Sequence, residues 1–210
     1  MRMLLRMTLA ATCFAVALGA SAQEKAKSEK SAAPAKSAAK APPDEKAMME
    51  MMAKVATPGE NHKKLEPLVG KFDAKITSWM DPSKPPIQST GTSERKWVLG
   101  NRYVEEQFSG SFMDQPFTGI GYTGYDNVGK KYVSIWMDSM STGIMDMKGT
   151  AAGNTISETG SMIDPMSGKP ANLKSKMTVT DNDHHKFEMW GPAPDGKTYK
   201  MMEINYTRKS

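Results

Sequence analysis

The chain has one cysteine, Cys13, and three histidines in 210 residues. With Cys13 inside an apolar leader, the folded part can form neither a disulfide nor a thiolate metal centre. Basic excess is also missing where it would matter. The formal charge of +5 belongs mostly to the first 46 residues, and residues 47–210 hold 20 Lys and Arg against 19 acids. A domain so close to neutral offers no clustered basic face for nucleic acid. Aromatics are few at 8%, so wherever they converge they dominate the interior. No Gly-x-Ser-x-Gly elbow or ordered Ser, His and Asp set occurs, so a serine hydrolase is not expected. The longest apolar stretch, Met7 to Gly19, is shorter than the roughly 20 residues that span a bilayer.

That stretch follows Arg2 and Arg6 and ends at Ala20-Ser21-Ala22, the pattern of an export signal cut after Ala22. Residues 1–22 are therefore expected to be a leader, and the mature chain to be periplasmic or secreted, with no transmembrane segment. From Gln23 to Pro43 the chain is almost entirely Ala, Lys, Ser, Glu and Pro. Such a composition buries too little to offset the entropy of ordering it, so residues 23–43 are expected to form a disordered tail.

Residues 44–66 have helical signals. Asp44 stands where it can cap a helix with Met48, Met51, Met52 and Val55 at i, i+3, i+4 and i+7. Thr57-Pro58-Gly59-Glu60 has capping-box spacing for a second, short helix. From 67 to 210 the pattern changes. About ten short runs alternate in polarity, each closed by Gly, Pro, Asn or Asp. The first sets Phe72, Ala74 and Ile76 against Asp73, Lys75 and Thr77. Asp81 to Pro86 must be a turn, because Pro cannot donate to a sheet interior. Gly100-Asn101, Asp126 to Gly129 and Asp195-Gly196 mark further turns, and Gly110 to Gln115 reads as a looser connection. The reading is an all-β protein: one antiparallel up-and-down barrel of about ten strands, with a short N-terminal helix over one end.

Several strings carry a resemblance: Gly100-Asn101-Arg102-Tyr103, Gln115-Pro116-Phe117-Thr118-Gly119-Ile120-Gly121, Gly124-Tyr125-Asp126-Asn127, Trp136-Met137-Asp138-Ser139-Met140, Asp164 to Lys169 and Glu203 to Arg208. Together they resemble the bacterial family of unknown function DUF1579. The resemblance implies a lipocalin-like, calycin-type barrel with no assigned activity and no catalytic residues to carry over. Leu68-Val69-Gly70-Lys71-Phe72 is similar to the Gly-x-Trp opening of lipocalins, with Phe in place of Trp.

Function follows from what a barrel of this size can enclose. The expected role is non-covalent binding of a small hydrophobic or amphipathic ligand, lined by Trp97, Phe108, Phe117, Tyr122, Trp136, Met145, Met177, Met189 and Tyr206. Arg95 and Arg102 could meet a ligand carboxylate, although Arg on a strand rim more often reaches solvent. Two other classes remain open. One is an enzyme with Asp138 or Glu188 as acid or base, and the other a filled barrel serving as an envelope interaction module. No catalytic residue, metal ligand or cofactor is assigned. The 16 methionines from Met48 to Met202 include a helical trio that could suit Cu(I); filling an irregular core and covering the barrel mouth is the favoured reading. His184 and His185 follow a polar turn and are expected at the surface.

Overall fold

The computed structural model describes residues 44–164, 167–193 and 195–210. The expected leader and tail lie outside the described residues. Helix α1 spans Glu45–Ala56, a single turn α2 spans Glu60–Lys63, and a 3-10 turn spans Glu66–Leu68. Ten strands follow: β1 Gly70–Ser78, β2 Ile87–Val98, β3 Tyr103–Phe112, β4 Gln115–Asp126, β5 Lys131–Asp138, β6 Met145–Ala152, β7 Thr155–Ile163, β8 Pro170–Val179, β9 His184–Pro192 and β10 Thr198–Arg208. Each pairs antiparallel with its sequence neighbour, and β1 pairs with β10, so the sheet closes on itself. Closure removes every free strand edge.

Register decides sidedness. In β1, Phe72, Ala74, Ile76 and Ser78 are buried and face the lumen. Pairing carries that sidedness around the barrel: Phe72 opposes Ser93, Ser93 opposes Phe108, and Phe108 opposes Gly119. The glycines follow from this packing. A Cβ on Gly119 would lie 2.2 Å from the Trp136 ring, and one on Gly91 would lie 2.4 Å from the Phe108 ring. Large rings fit inside because the facing wall has no side chain there.

One end of the barrel is sealed from within the chain. Leu65 and Leu68, on the segment between α2 and β1, pack against Val104, Tyr132 and Ile156, with Trp97 and Tyr125 beside them. The plug is pinned by polar contacts. The Trp97 indole donates to Glu66 at 2.8 Å, the Tyr132 hydroxyl to the Asn61 carbonyl at 3.0 Å, and Arg208 to the carbonyls of Val69 and Pro67 at 2.8 and 2.9 Å.

Helix α1 does not cover the barrel as expected. None of its residues is buried, and Met48, Met51, Met52 and Val55 are all exposed. The Asn127 amide tethers its C-terminal end to the barrel, donating to the carbonyls of Val55 and Thr57. Thr57 ends α1 rather than opening α2, its hydroxyl donating to the Ala53 carbonyl at 2.7 Å. Glycine 59 precedes α2 instead, and its N–H donates to the His62 ring at 3.1 Å. The expected loose connection from Gly110 to Gln115 is also a correction. Strand β3 runs on to Phe112, and a tight turn puts Met113 and Asp114 at φ of 50° and 61°. That left-handed pair matches the twist of the flanking strands without the glycine that usually announces such a turn.

Candidate functional site: the barrel lumen

All but one of the nine expected lining residues face the lumen, at two depths. Phe108 is buried, with edge-on rings from Phe117 at 5.9 Å and Trp136 at 6.4 Å. Phe117, Trp136 and Met145 are partly exposed near the end opposite the plug, joined by Met162 and Met202. No helix among the described residues crosses that end. Met177, Met189 and Tyr206 sit deeper, and Tyr206 is 4% exposed. Trp97 faces inward too, but belongs to the sealed end, where its indole is spent on Glu66.

Tyr122 is the exception. It pairs with Glu105 and Ile135 on the outer wall, and its hydroxyl donates to Glu105 at 3.1 Å. Its neighbours Gly121 and Thr123 are the inward positions, so a shift of one residue separates the expectation from the structure.

The lumen also holds a polar layer that sequence reasoning largely missed. Arg95, whose side chain is 2% exposed, donates from Nη2 to Glu106 at 3.0 Å, and the Ser93 hydroxyl donates to the same Glu106 oxygen at 2.6 Å. The guanidinium lies 4.2 Å from the centre of the Tyr206 ring and 5.3 Å from that of Phe72. Burial, and after it the Glu106 carboxylate, pushes the Tyr206 phenol above its ordinary range. Arg95 is therefore an interior ion-pair partner rather than a rim residue, and its Nη1 has no hydrogen-bond partner among the described residues.

His185 is the larger correction. It is 2% exposed, 4.8 Å from the Phe72 ring, and among the described residues neither ring nitrogen has a hydrogen-bond partner of normal geometry. Burial, then the charges of Arg95 and Arg208, lower its pKa to about 4, so it is neutral at physiological pH. Of the two, only His184 is on the surface, its Nδ1 within hydrogen-bond distance of Asp181 at 2.9 Å. Glu158 completes the layer. It accepts from the Ser134 hydroxyl at 2.9 Å through one oxygen, while the other is buried without a partner among the described residues. Burial raises its pKa, with the Ser134 bond opposing.

The carboxylates weighed for catalysis are placed differently. Glu188 is on the outer wall, 3.1 Å from Lys200 and 4.0 Å from Lys186. Asp138 stands at the open end, accepting from the Trp136 indole at 2.9 Å and from the Met140 N–H at 2.9 Å. The second bond is an aspartate closing its own turn. Arg102 holds the carbonyl of Leu99 at 2.9 Å in the turn before β3, away from the lumen. Among the described residues no group of three or more His, Asp or Glu is placed to hold a metal ion.

The interior acids had a signal. Glu158 shares parity with Ile156, Gly160 and Met162, and Glu106 with Val104 and Phe108. Read strictly, alternation places both inside.

Residues 57–208, the whole barrel with its plug, match the family described as "Protein of unknown function (DUF1579)". The chain belongs to the DUF1579 family. No curated protein matches its sequence. Among solved structures, this DUF1579 barrel is similar to Rv2717c from M. tuberculosis, at 14% identity and TM-score 0.54, over 73% of this chain and all of that one. It is also similar to the S-type phycobiliprotein lyase CPES from Guillardia theta, at 9% identity and TM-score 0.50, over 75% of this chain and 97% of that one. At these identities the likeness is one of fold: a closed β-barrel.

Proposed function

We propose that this DUF1579 protein is a non-catalytic carrier, which takes a small amphipathic molecule into its lumen through the end opposite the Leu65–Leu68 plug. The observation that carries the reading is the pairing of an apolar, partly exposed mouth with buried polar atoms below it that have no partner among the described residues. Phe117, Trp136, Met145 and Met202 would hold the apolar body, at roughly 25 cal/mol per Å² of area removed from water. Arg95 Nη1 and the His185 ring nitrogens would meet the polar end, whose hydrogen bonds would relieve the cost of leaving those groups unpaired. Methionine suits such a wall, because an unbranched thioether adapts to ligands of differing shape. The apolar leader at 1–22 supports a working location outside the cytoplasm.

The test is titration with 1-anilinonaphthalene-8-sulfonate, an amphiphile with one anionic end, alongside native mass spectrometry of protein purified from its own host. The expected results are saturable one-site fluorescence, loss of that signal in the mouth variant Phe117→Asp with its strand circular dichroism intact, and a retained small molecule in the mass spectrum. Non-saturable fluorescence unaffected by Phe117→Asp, together with host-purified protein recovered only in unliganded form, would overturn the reading.

A further inference from the structure

A second concavity lies on the outside of the barrel. A groove of ≈ 510 Å³ runs along the outer wall from the start of β5 to the start of β10, and its charged rim is Lys131, Lys148, Lys174 and Lys176. That volume is within the range of small-molecule sites. None of the four lysines has an ion-pairing carboxylate among the described residues. The acid opposite Lys176 across the β8–β9 pairing is Glu188, which is already taken by Lys200 and Lys186. The one acid among the lining residues, Glu158, belongs to the lumen face and is bound by Ser134. A domain carrying nearly equal numbers of acids and bases thus gathers four lysines around one concavity, where Asp126, opposite Lys131 and near Lys148, offsets part of their charge.

Register turns this charge into a geometry. Lys148 opposes Thr159, Thr159 opposes Lys174, and Lys174 opposes Trp190, so the four form a single row across four adjacent strands. At about 4.8 Å per strand, the two lysines stand roughly 10 Å apart at their Cα atoms with a hydroxyl between them. The next row brings Thr150, Ser157 and Lys176 alongside. An anion seated over Thr159 is within reach of two flexible ammonium groups and two or three hydroxyl donors. Lysines act as point charges rather than planar forks, which favours a compact, multiply charged group over a single carboxylate. Trp190 ends the row as a platform, with Lys176 5.6 Å from the centre of its ring.

We propose that this groove binds a phosphate ester, its phosphoryl group held between Lys148 and Lys174 over Thr159, and the ring of its organic part laid on Trp190. The site is separate from the lumen and needs nothing of the carrier reading.

The experiment follows the four tryptophan indole N–H signals by NMR in the intact protein, with Trp190 identified through Trp190→Phe. Glucose 6-phosphate is titrated at low salt, with glucose and inorganic pyrophosphate as comparisons and phosphatidylglycerol vesicles as a separate arm. The expected result is a saturable shift confined to Trp190 with the ester and absent with glucose. Affinity should fall roughly tenfold in Lys174→Gln/Lys176→Gln, as for two screened charge contacts, and fall again as salt rises. A lumen ligand would instead move Trp136, so the two readings fail separately. The proposal is overturned if the ester leaves Trp190 unmoved, if the double variant binds as well as the parent, or if only the vesicles bind, which would make the wall a membrane-facing surface.

Discussion

Lowering the pH from 7 toward 4 is expected to remove stability through one side chain, His185. Its ring is enclosed by Phe72 and near the charges of Arg95 and Arg208, with Asp181 opposing them, and its pKa in the fold is about 4 against an ordinary 6.5. Above pH 6.5 the ring is neutral in both folded and unfolded chains and contributes no pH dependence. Between 6.5 and 4 the unfolded chain takes up a proton that the folded barrel refuses, so stability falls as pH falls, at up to about 1.4 kcal/mol per pH unit. The full loss is about 3 kcal/mol, and it levels off below pH 4. His185→Leu removes the titration and the two unpaired ring nitrogens while keeping an apolar contact on Phe72. Urea unfolding of both proteins at half-unit steps from pH 7.5 to 3.5 checks this. The difference in unfolding free energy should grow in favour of the variant as the solution is acidified. Parallel profiles would refute the assignment of the acid limb to His185.

Three further outcomes are expected. Glu158 works in the opposite sense, because its raised pKa means that the folded barrel disfavours its charge. Glu158→Gln should therefore stabilise the protein at pH 8 and make no difference at pH 4, as read by urea midpoints at the two values. Arg95→Met strands Glu106 in the interior and should cost about 3–5 kcal/mol, whereas Arg95→Met with Glu106→Leu should recover most of it; chemical denaturation of the single and double variants measures the gap. Asp114→Gly relieves a non-glycine residue at φ 61° and should raise stability by about 1 kcal/mol, seen as a higher thermal midpoint.

Alternation was legible where it was strict. Phe72, Ala74 and Ile76 against Asp73, Lys75 and Thr77 defined β1 and its inner face, because a strand with one wet side must place its apolar set on the other. It failed at Tyr122, whose segment Gly119-Ile120-Gly121-Tyr122 offers large side chains only on the outer face. A large aromatic suggests burial, yet the two glycines hold the inward positions, and they are inward because Trp136 from β5 needs the space. The polar layer was missed for a related reason. Arg95, Glu106 and Glu158 look like surface residues by type, and only their parity with Trp97, Phe108 and Ile156 puts them inside. The exposed face of α1 shows the converse limit, since helical spacing describes a stripe and says nothing of whether another surface meets it.

Turn residues and two-residue periodicity, both local properties of the chain, were enough to determine a ten-stranded antiparallel meander. Closure of β1 on β10, the Leu65–Leu68 plug at one end, the Arg95–Glu106 pair and the row of lysines leading to Trp190 are contacts between residues distant along the chain. They depend on how the strands are staggered around the barrel, and stagger is set by the packing of all ten strands together rather than by any one of them.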